Sequence, residues 1–452
     1  MESMQVIALT IFLATVFMVV VRWIDSVVAA MVGVVLMVMF GVMTEEQAFG
    51  FVDWNVIAIL VSIWLLAGYF GKTGIPEYLG EMTLNLSKGN VPLFVTLIGG
   101  LSGFISMFID NVVVVLMLAP VVFHIRKMYN FEATGAILFI GLCSNFMGTA
   151  LLLGDLPPQM LHSVTGIEFF GFIWQEGRPS SFIILTLTYL VVVAFFYFKF
   201  RASPMANVEM DTSKIAEDAE SHIKNPRFAI VVCVVFALTI VAMALREVFG
   251  VMLGYIAFSG ALLLVLVFEI FGQRWKLDPP NLEGMLAELD WKAIGFYVAL
   301  FALVGGLESV HILKIVAAWL VPFFESSLLV GVSVLYWVTA PIVGVLEHDA
   351  YILTMLYVIR DLSEANGMNP WPLYWALVWS GTLGSNLTIA GAPALYVALS
   401  MGEKEDARKW SLREFLRFSV PYVIISLVVC YILMVLVWVL PYMEESGVGV
   451  VN

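Results

Sequence analysis

Asp110 and Asn111 stand alone between apolar residues in "FIDNVVVVLMLAPV", at Phe108–Val121. An ionisable group flanked this way is costly at membrane depth, so it either reaches water at a hairpin tip or binds something. Asn111 adds a carbonyl acceptor and an amide donor beside it. Two more polar motifs interrupt apolar sequence: "SNFMGTALLLGDLPP" at Ser144–Pro158 and "SNLTIAGAP" at Ser385–Pro393. Ser144, Asn145 and Thr149 in the first, and Ser385, Asn386 and Thr388 in the second, offer hydroxyl and amide oxygens. Gly148, Gly154, Gly391 and Pro393 would break the helix and expose carbonyls beside them. That is the ligand chemistry of a hard cation, and sodium is expected at Ser144, Asn145, Ser385 and Asn386. The plainer alternative is that each Ser-Asn pair caps a helix. Asp155 precedes Pro157-Pro158, where a helix must stop. A carboxylate beside broken backbone can hold either a proton or a cation. Glu347, His348 and Asp349 place three titratable groups in another apolar stretch, where a histidine can relay protons.

The elements that carry these residues are membrane helices. Of 452 residues, 61% are hydrophobic and 13% charged, against roughly 25% charged in soluble domains. Apolar runs at 6–21, 27–43, 56–69, 182–198, 228–245, 251–271, 293–307 and 420–440 approach the length of a spanning helix. None alternates with period two, which argues against a barrel. The first run lacks a basic start and a small-residue cleavage site, so it does not read as a signal peptide. The net charge of −13 lies largely in loops such as 209–220 and 283–290, and no nucleic-acid partner is expected. Cys143, Cys233 and Cys430 lie far apart, with neither metal-site nor disulfide spacing. No phosphate-binding "GxxxxGK[ST]" loop, nucleophile–base pair or cofactor motif occurs, so no enzyme and no cofactor is expected.

The chain repeats itself about a polar linker at 201–226. "VDWNVIAILVSIWLLAGYFGKTGI" at Val52–Ile75 matches "LDWKAIGFYVALFALVGGLESVHI" at Leu289–Ile312. Asp53 pairs with Asp290, Gly68 with Gly305, Asp110 with Glu347 and Gly154 with Gly391, always 237 residues apart. Ser144-Asn145 pairs with Ser385-Asn386 at 241, a local shift that ends by Gly391. Paired loops differ in basic content. The segment 401–417 holds Lys404, Arg408, Lys409, Arg413 and Arg417, whereas its counterpart 166–180 holds only Arg178. Such asymmetry predicts inverted repeats, with the linker and the 401–417 loop in the cytoplasm. The first repeat is expected over 1–200, with a re-entrant hairpin at about 92–124 and a broken helix at about 132–156. The second is expected over 227–445, with a hairpin at about 326–359 and a broken helix at about 374–400. Irregular backbone at membrane depth must be buried in protein or line a cavity, so these four segments should converge.

The motifs "FIDNVVVVLMLAPV", "SNFMGTALLLGDLPP" and "LGSNLTIAGAPA" resemble the ion transporter superfamily. Within it they are most similar to the branch of arsenite permeases, D-type sodium/proton antiporters and the melanosomal P protein. "WNVIAILVSIWLLAGYFGKTGIPEYLG" resembles the segment before the first hairpin of that branch. The resemblance implies an all-α polytopic membrane protein with roughly 11 spanning helices, two re-entrant hairpins and two inverted repeats. It also implies a homodimer with scaffold and elevator-like transport domains in the cell membrane. The chain departs from the family pattern at Glu347-His348-Asp349, where an Asp-Asn tip is usual. It departs again at "GDLPPQ", where Leu156 is inserted and Gln159 replaces Asn. The expected function is sodium/proton antiport. The alternative is an anion or oxyanion permease for arsenite or a carboxylate, and a channel or a non-transporting scaffold is the third.

Overall fold

The computed structural model describes residues 3–21, 24–129, 131–202, 223–316, 318, 327–344, 348–389 and 391–445. Among these the chain is almost entirely helical. Its first half contains α1 (Ser3–Val21), α2 (Ser26–Met39), α3 (Glu45–Gly50), α4 (Trp54–Gly71), α5 (Ile75–Ser87), α6 (Val91–Ser106), α7 (Asn111–Tyr129), α8 (Ala133–Gly148), α9 (Leu156–Thr165) and α10 (Ser181–Arg201). Its second half contains α11 (Pro226–Ala244), α12 (Arg246–Phe249), α13 (Leu253–Trp275), α14 (Leu282–Ala287), α15 (Trp291–Ser309), α16 (Leu328–Val343), α17 (His348–Asn366), α18 (Trp371–Ser385), α19 (Pro393–Asp406), α20 (Leu412–Met434) and α21 (Leu440–Glu445). The sole strand pair among the described residues joins Trp174–Gln175 to Arg178–Pro179. Glu176 and Gly177 turn that hairpin with positive φ, as a two-residue loop requires.

Six helical stretches are long and apolar enough to cross a bilayer: Trp54–Gly71, Ser181–Arg201, Pro226–Ala244, Leu253–Trp275, Trp291–Ser309 and Leu412–Tyr442. They carry six of the eight apolar runs read from the sequence, and α1 and α2 carry the other two. Their outer faces expose Leu190, Ile230, Tyr255, Ile270 and Ile424, a surface that suits lipid and not water. Short polar side chains start the helices. Asp53 Oδ1 accepts from Asn55 N (2.9 Å) and Val56 N (3.1 Å) at α4. Asp290 Oδ1 accepts from Ala293 N (3.0 Å) at α15, and Asn90 Oδ1 from Leu93 N (2.9 Å) at α6.

Helices α4 and α15 run antiparallel. Lys72, just past the end of α4, meets Glu288, just before the start of α15, at 2.8 Å. At the other end Ser309 Oγ donates to Val42 O (3.1 Å), and Tyr357 lies in the field of both Glu308 and Asp53. The breaks fall beside the polar motifs, but Pro157-Pro158, where the sequence predicts that a helix stops, instead opens α9, because proline needs no amide partner in a helix's first turn. Residues 107–110 separate α6 from α7, 149–155 separate α8 from α9, and Asn386–Ala392 separate α18 from α19. Helix α6 packs on α8 as α16 packs on α18, and α7 packs on α19 as α17 packs on α9. The last two contacts cross between the halves, so the broken segments interlock. Buried aromatics fill the remaining space: Phe139 stacks on Phe196 at 5.3 Å and Trp375 on Trp379 at 5.2 Å. Trp375 and Trp379 are both fully buried. Cys143 and Cys430 are buried, Cys233 partly so, and all three are free thiols.

Asp406 ties the two halves together away from the breaks. It ends α19, and its carboxylate caps α8. Oδ1 accepts from Ala133 N (3.2 Å) and Arg126 Nε (2.6 Å), and Oδ2 from Thr134 N (2.8 Å) and Thr134 Oγ1 (2.6 Å). Burial pushes this carboxyl up, but the hydrogen bonds from Thr134, Ala133 and Arg126 outweigh it and hold it below the usual carboxylate range. Its stabilisation is therefore complete above an unfolded value near about 3.9 and is lost as pH falls through the lower folded value. Asp406→Ala should destabilise the fold by about 2–3 kcal/mol at neutral pH. A fall in the melting temperature of the detergent-solubilised protein checks this, and an unchanged melt would remove Asp406 as a tie.

Candidate functional site

Asn145 lies at the last turn of α8, fully buried, and its amide reaches two other broken segments. Its Oδ1 accepts from Asn111 Nδ2 (3.0 Å) at the start of α7. Its Nδ2 faces Ser385 Oγ (3.0 Å), Asn386 Oδ1 (3.1 Å) and Thr382 O (3.4 Å) at the end of α18. Two amide hydrogens cannot serve three acceptors fully, and Thr382 O, the most distant, is the weakest partner. Asn145 and Asn386, paired by the sequence repeat, thus meet directly. Thr149 Oγ1 and Thr382 Oγ1 lie 2.6 Å apart and share one hydrogen bond. Trp379 Nε1 donates to Ser181 Oγ (3.0 Å), which donates to Thr149 O (2.8 Å) and so satisfies a carbonyl freed where α8 stops.

The carboxylates cap the helices that begin at the breaks. Asp110 Oδ1 accepts from Val112 N (2.9 Å) and Val113 N (3.3 Å) at α7. Asp155 Oδ1 accepts from Leu156 N (2.9 Å) at α9, and its Oδ2 receives Asn111 Nδ2 at 3.4 Å. Both N-termini therefore already hold a protein carboxylate. In the second half, His348 Nε2 lies 3.3 Å from Asp349 Oδ1 at the start of α17, both buried. Thr388 Oγ1 donates to Gly344 O (2.5 Å), joining the second break to the end of α16. Glu347 and Ala390 lie outside the described residues.

Asp110, Asn111, Asp155, His348 and Asp349 line one cavity of about 660 Å³. Its other walls come from α4, α5, α7, α14 and α15, with Glu77 of α5 and Glu288 and Asp290 just before α15 adding acids. Among the described residues Lys72 is its single lysine or arginine, and Glu288 holds it at 2.8 Å across the rim. Both partners are about half exposed, so the pair contributes no more than about 1 kcal/mol. The opposite end of α15, roughly 27 Å away, is tied down. Arg360 Nη2 donates to Glu308 Oε1 (2.6 Å) and to Asp361 Oδ1 (3.1 Å), and Ser163 Oγ donates to Asp53 Oδ2.

The expected residues therefore divide. Asp110, Asn111, Asp155, His348 and Asp349 reach the cavity. Asn145, Thr149, Ser385 and Asn386 form the buried hydrogen-bond layer that meets it through Asn111. Ser144 Oγ instead donates within its own helix to Gly141 O (3.1 Å). Thr382, Ser181, Trp379, Lys72 and Glu288 were not singled out by the sequence. Only Thr382 left a trace there, one turn before the repeated Ser385-Asn386.

The match to known proteins follows this architecture. Residues 16–380 match the model of the citrate transporter family, CitMHS. The chain belongs to that family. It is thus a membrane transporter, and the resemblance to the ion transporter superfamily carried by its motifs is borne out. An uncharacterized transporter of Mycobacterium tuberculosis is 25% identical over 410 residues, covering 89% of this chain and 92% of its own. The human P protein is 23% identical over 457 residues, covering 84% of this chain and 53% of its own. The fold is also that of two solved structures at 14% identity. The Alcanivorax borkumensis YdaH transporter has a TM-score of 0.55 over 89% of this chain and 88% of its own. Neisseria gonorrhoeae MtrF, from a class of antimetabolite efflux pumps, has 0.58 over 90% and 84%.

Within this family member the breaks tolerate no added bulk. A Cβ on Gly154 would lie 2.0 Å from Ser106 O and 2.7 Å from Gly148 O, backbone atoms that cannot swing aside. Gly154→Ala should destabilise the protein by about 3 kcal/mol. Gly100→Ala, in α6 with open space around it, should be neutral or slightly stabilising. Melting curves of the two variants side by side check this, and equal curves would contradict the close approach.

Proposed function

We propose that the chain exchanges a small inorganic cation, sodium foremost, for protons, driven by the gradient of one of them. One observation carries this reading: Asp110, Asp155 and Asp349 line one cavity whose single lysine is already held by Glu288. The caps sharpen it. The N-termini of α7 and α9, which would attract an anion, are occupied by the Oδ1 atoms of Asp110 and Asp155. What remains to a ligand is the acceptor side of each carboxylate, and a cation or a proton suits it. Antiparallel α4 and α15, and the crossed packing of α7 on α19 and of α17 on α9, support the inverted-repeat reading. We extend it to re-entrant hairpins at α6–α7 and α16–α17, an elevator-like movement of the interlocked segments, a homodimer and a place in the cell membrane.

A second reading, an anion or oxyanion permease for arsenite or a carboxylate, rests on different atoms. Helix α19 starts at Pro393, which lines the cavity, and its cap residue Ala392 offers no side-chain acceptor. Asn386 Nδ2 is buried without a hydrogen-bond partner among the described residues. Such donors suit an anion, with sodium coupling leaving a role for the carboxylates.

Purified protein in liposomes with a pH-sensitive dye inside separates the two. Sodium or lithium added outside should change the luminal pH. Asp110→Asn and Asp155→Asn should reduce the rate by at least about tenfold, as expected when an ionisable group central to coupling is neutralised. A flat response to every cation from folded protein would sink antiport, and carboxylate or arsenite uptake with and without a sodium gradient would then test the permease.

A further inference from the structure

Helices α10 and α20 pack against each other where α10 ends and α20 begins. Lys199 bridges them: its Nζ donates to Arg417 O (3.5 Å) and lies over the rings of Phe196 (4.7 Å) and Phe418 (5.2 Å). Around it cations outnumber available acids. Arg408 and Trp410 engage Glu132, Arg126 engages Glu405 and Asp406, Arg408 and Ser411 engage Glu414, and the Trp410 amide engages Glu403. Among the described residues no acidic side chain pairs with Arg201, Arg413 or Arg417, all three exposed.

These cations are placed on particular faces. Arg413 and Arg417 are one helical turn apart, and the same face of α20 continues through exposed Ile424, Val428 and Ile432. Arg201 likewise ends the face of α10 that exposes Leu190 and Phe198. Each lipid-facing stripe thus finishes in unneutralised cations, side by side on the two helices. A ligand that matches both features is amphiphilic, with acyl chains along the stripes and an anionic head among the guanidinium groups.

We infer that the surface where the end of α10 meets the start of α20 binds an anionic phospholipid, its phosphate held by Arg413, Arg417 and Arg201. A free inorganic anion would satisfy the charge but not the adjoining apolar faces. The chain's own linker at 203–222, which holds five acids and one lysine, is the competing occupant.

Native mass spectrometry of the full chain from mixed micelles with equal phosphatidylglycerol and phosphatidylcholine tests this. Wild type should retain phosphatidylglycerol preferentially. Arg413→Gln/Arg417→Gln should weaken that preference by about fivefold per charge removed. Arg274→Gln/Lys276→Gln, which removes equal charge from the end of α13, should leave it unchanged. The substituted arginines are exposed, and an unchanged melting temperature verifies folding. An equal loss in both double variants would mean diffuse attraction only and would overturn the site. So would displacement of the lipid by inorganic phosphate. So would a preference that is absent in wild type but emerges when the five linker acids are neutralised, since the linker would then be the occupant.

Discussion

Backbone that leaves the helix inside a bilayer has no water to turn to, and every amide and carbonyl freed there must find a partner in the protein. The breaks after α6, α8 and α18 impose that requirement together, and the structure meets it by bringing them to one place. Asp110, Asp155, Ser181 and Thr388 satisfy backbone groups at the breaks, and the segments are joined through the side chain of Asn145. Its side chain has one acceptor and two hydrogens, and it spends them on α7 and on the end of α18. Ser181 and Trp379 extend the same satisfaction to Thr149 O. The interlocked helices follow, because segments that share hydrogen bonds at their breaks cannot pack far apart.

The same constraint explains where small residues are needed. Gly154 lets one broken segment lie against another, with Ser106 O where a Cβ would sit, and Gly391 lets the second break fold back on its own helix end, with Ser385 O in that place. Polar satisfaction and close approach are two sides of one design. A larger residue at either glycine would push apart the groups that Asn145 holds together.

Much of this was legible in the sequence because a duplicated chain marks its own important positions. The shared spacing identified Asn145 with Asn386 and located the breaks. Glycine and proline set the ends of α8, α9, α18 and α19 to within a few residues. Asp110 and Asp155 were visible as charges without company. What stayed hidden depends on how the halves meet. Lys72 and Glu288 look like ordinary helix-end residues until α4 and α15 are seen to be antiparallel neighbours. Ser144 shows the converse. In sequence it is equivalent to Ser385, and both hydroxyls donate to the carbonyl three residues back in their own helices, yet only Ser385 also receives Asn145. Where each hydroxyl sits relative to the other half separates the two, and residue type does not report it.

The helix caps of Asp110 and Asp155 have a mechanical meaning. Each carboxylate fastens the first turn of a helix with one oxygen and presents the other to the cavity or to Asn111. A proton or metal ion taken up by the second oxygen, as the proposed exchange requires, would draw electron density from the first and loosen its grip on the helix. Under that proposal, occupancy and helix tension are written on the same few atoms.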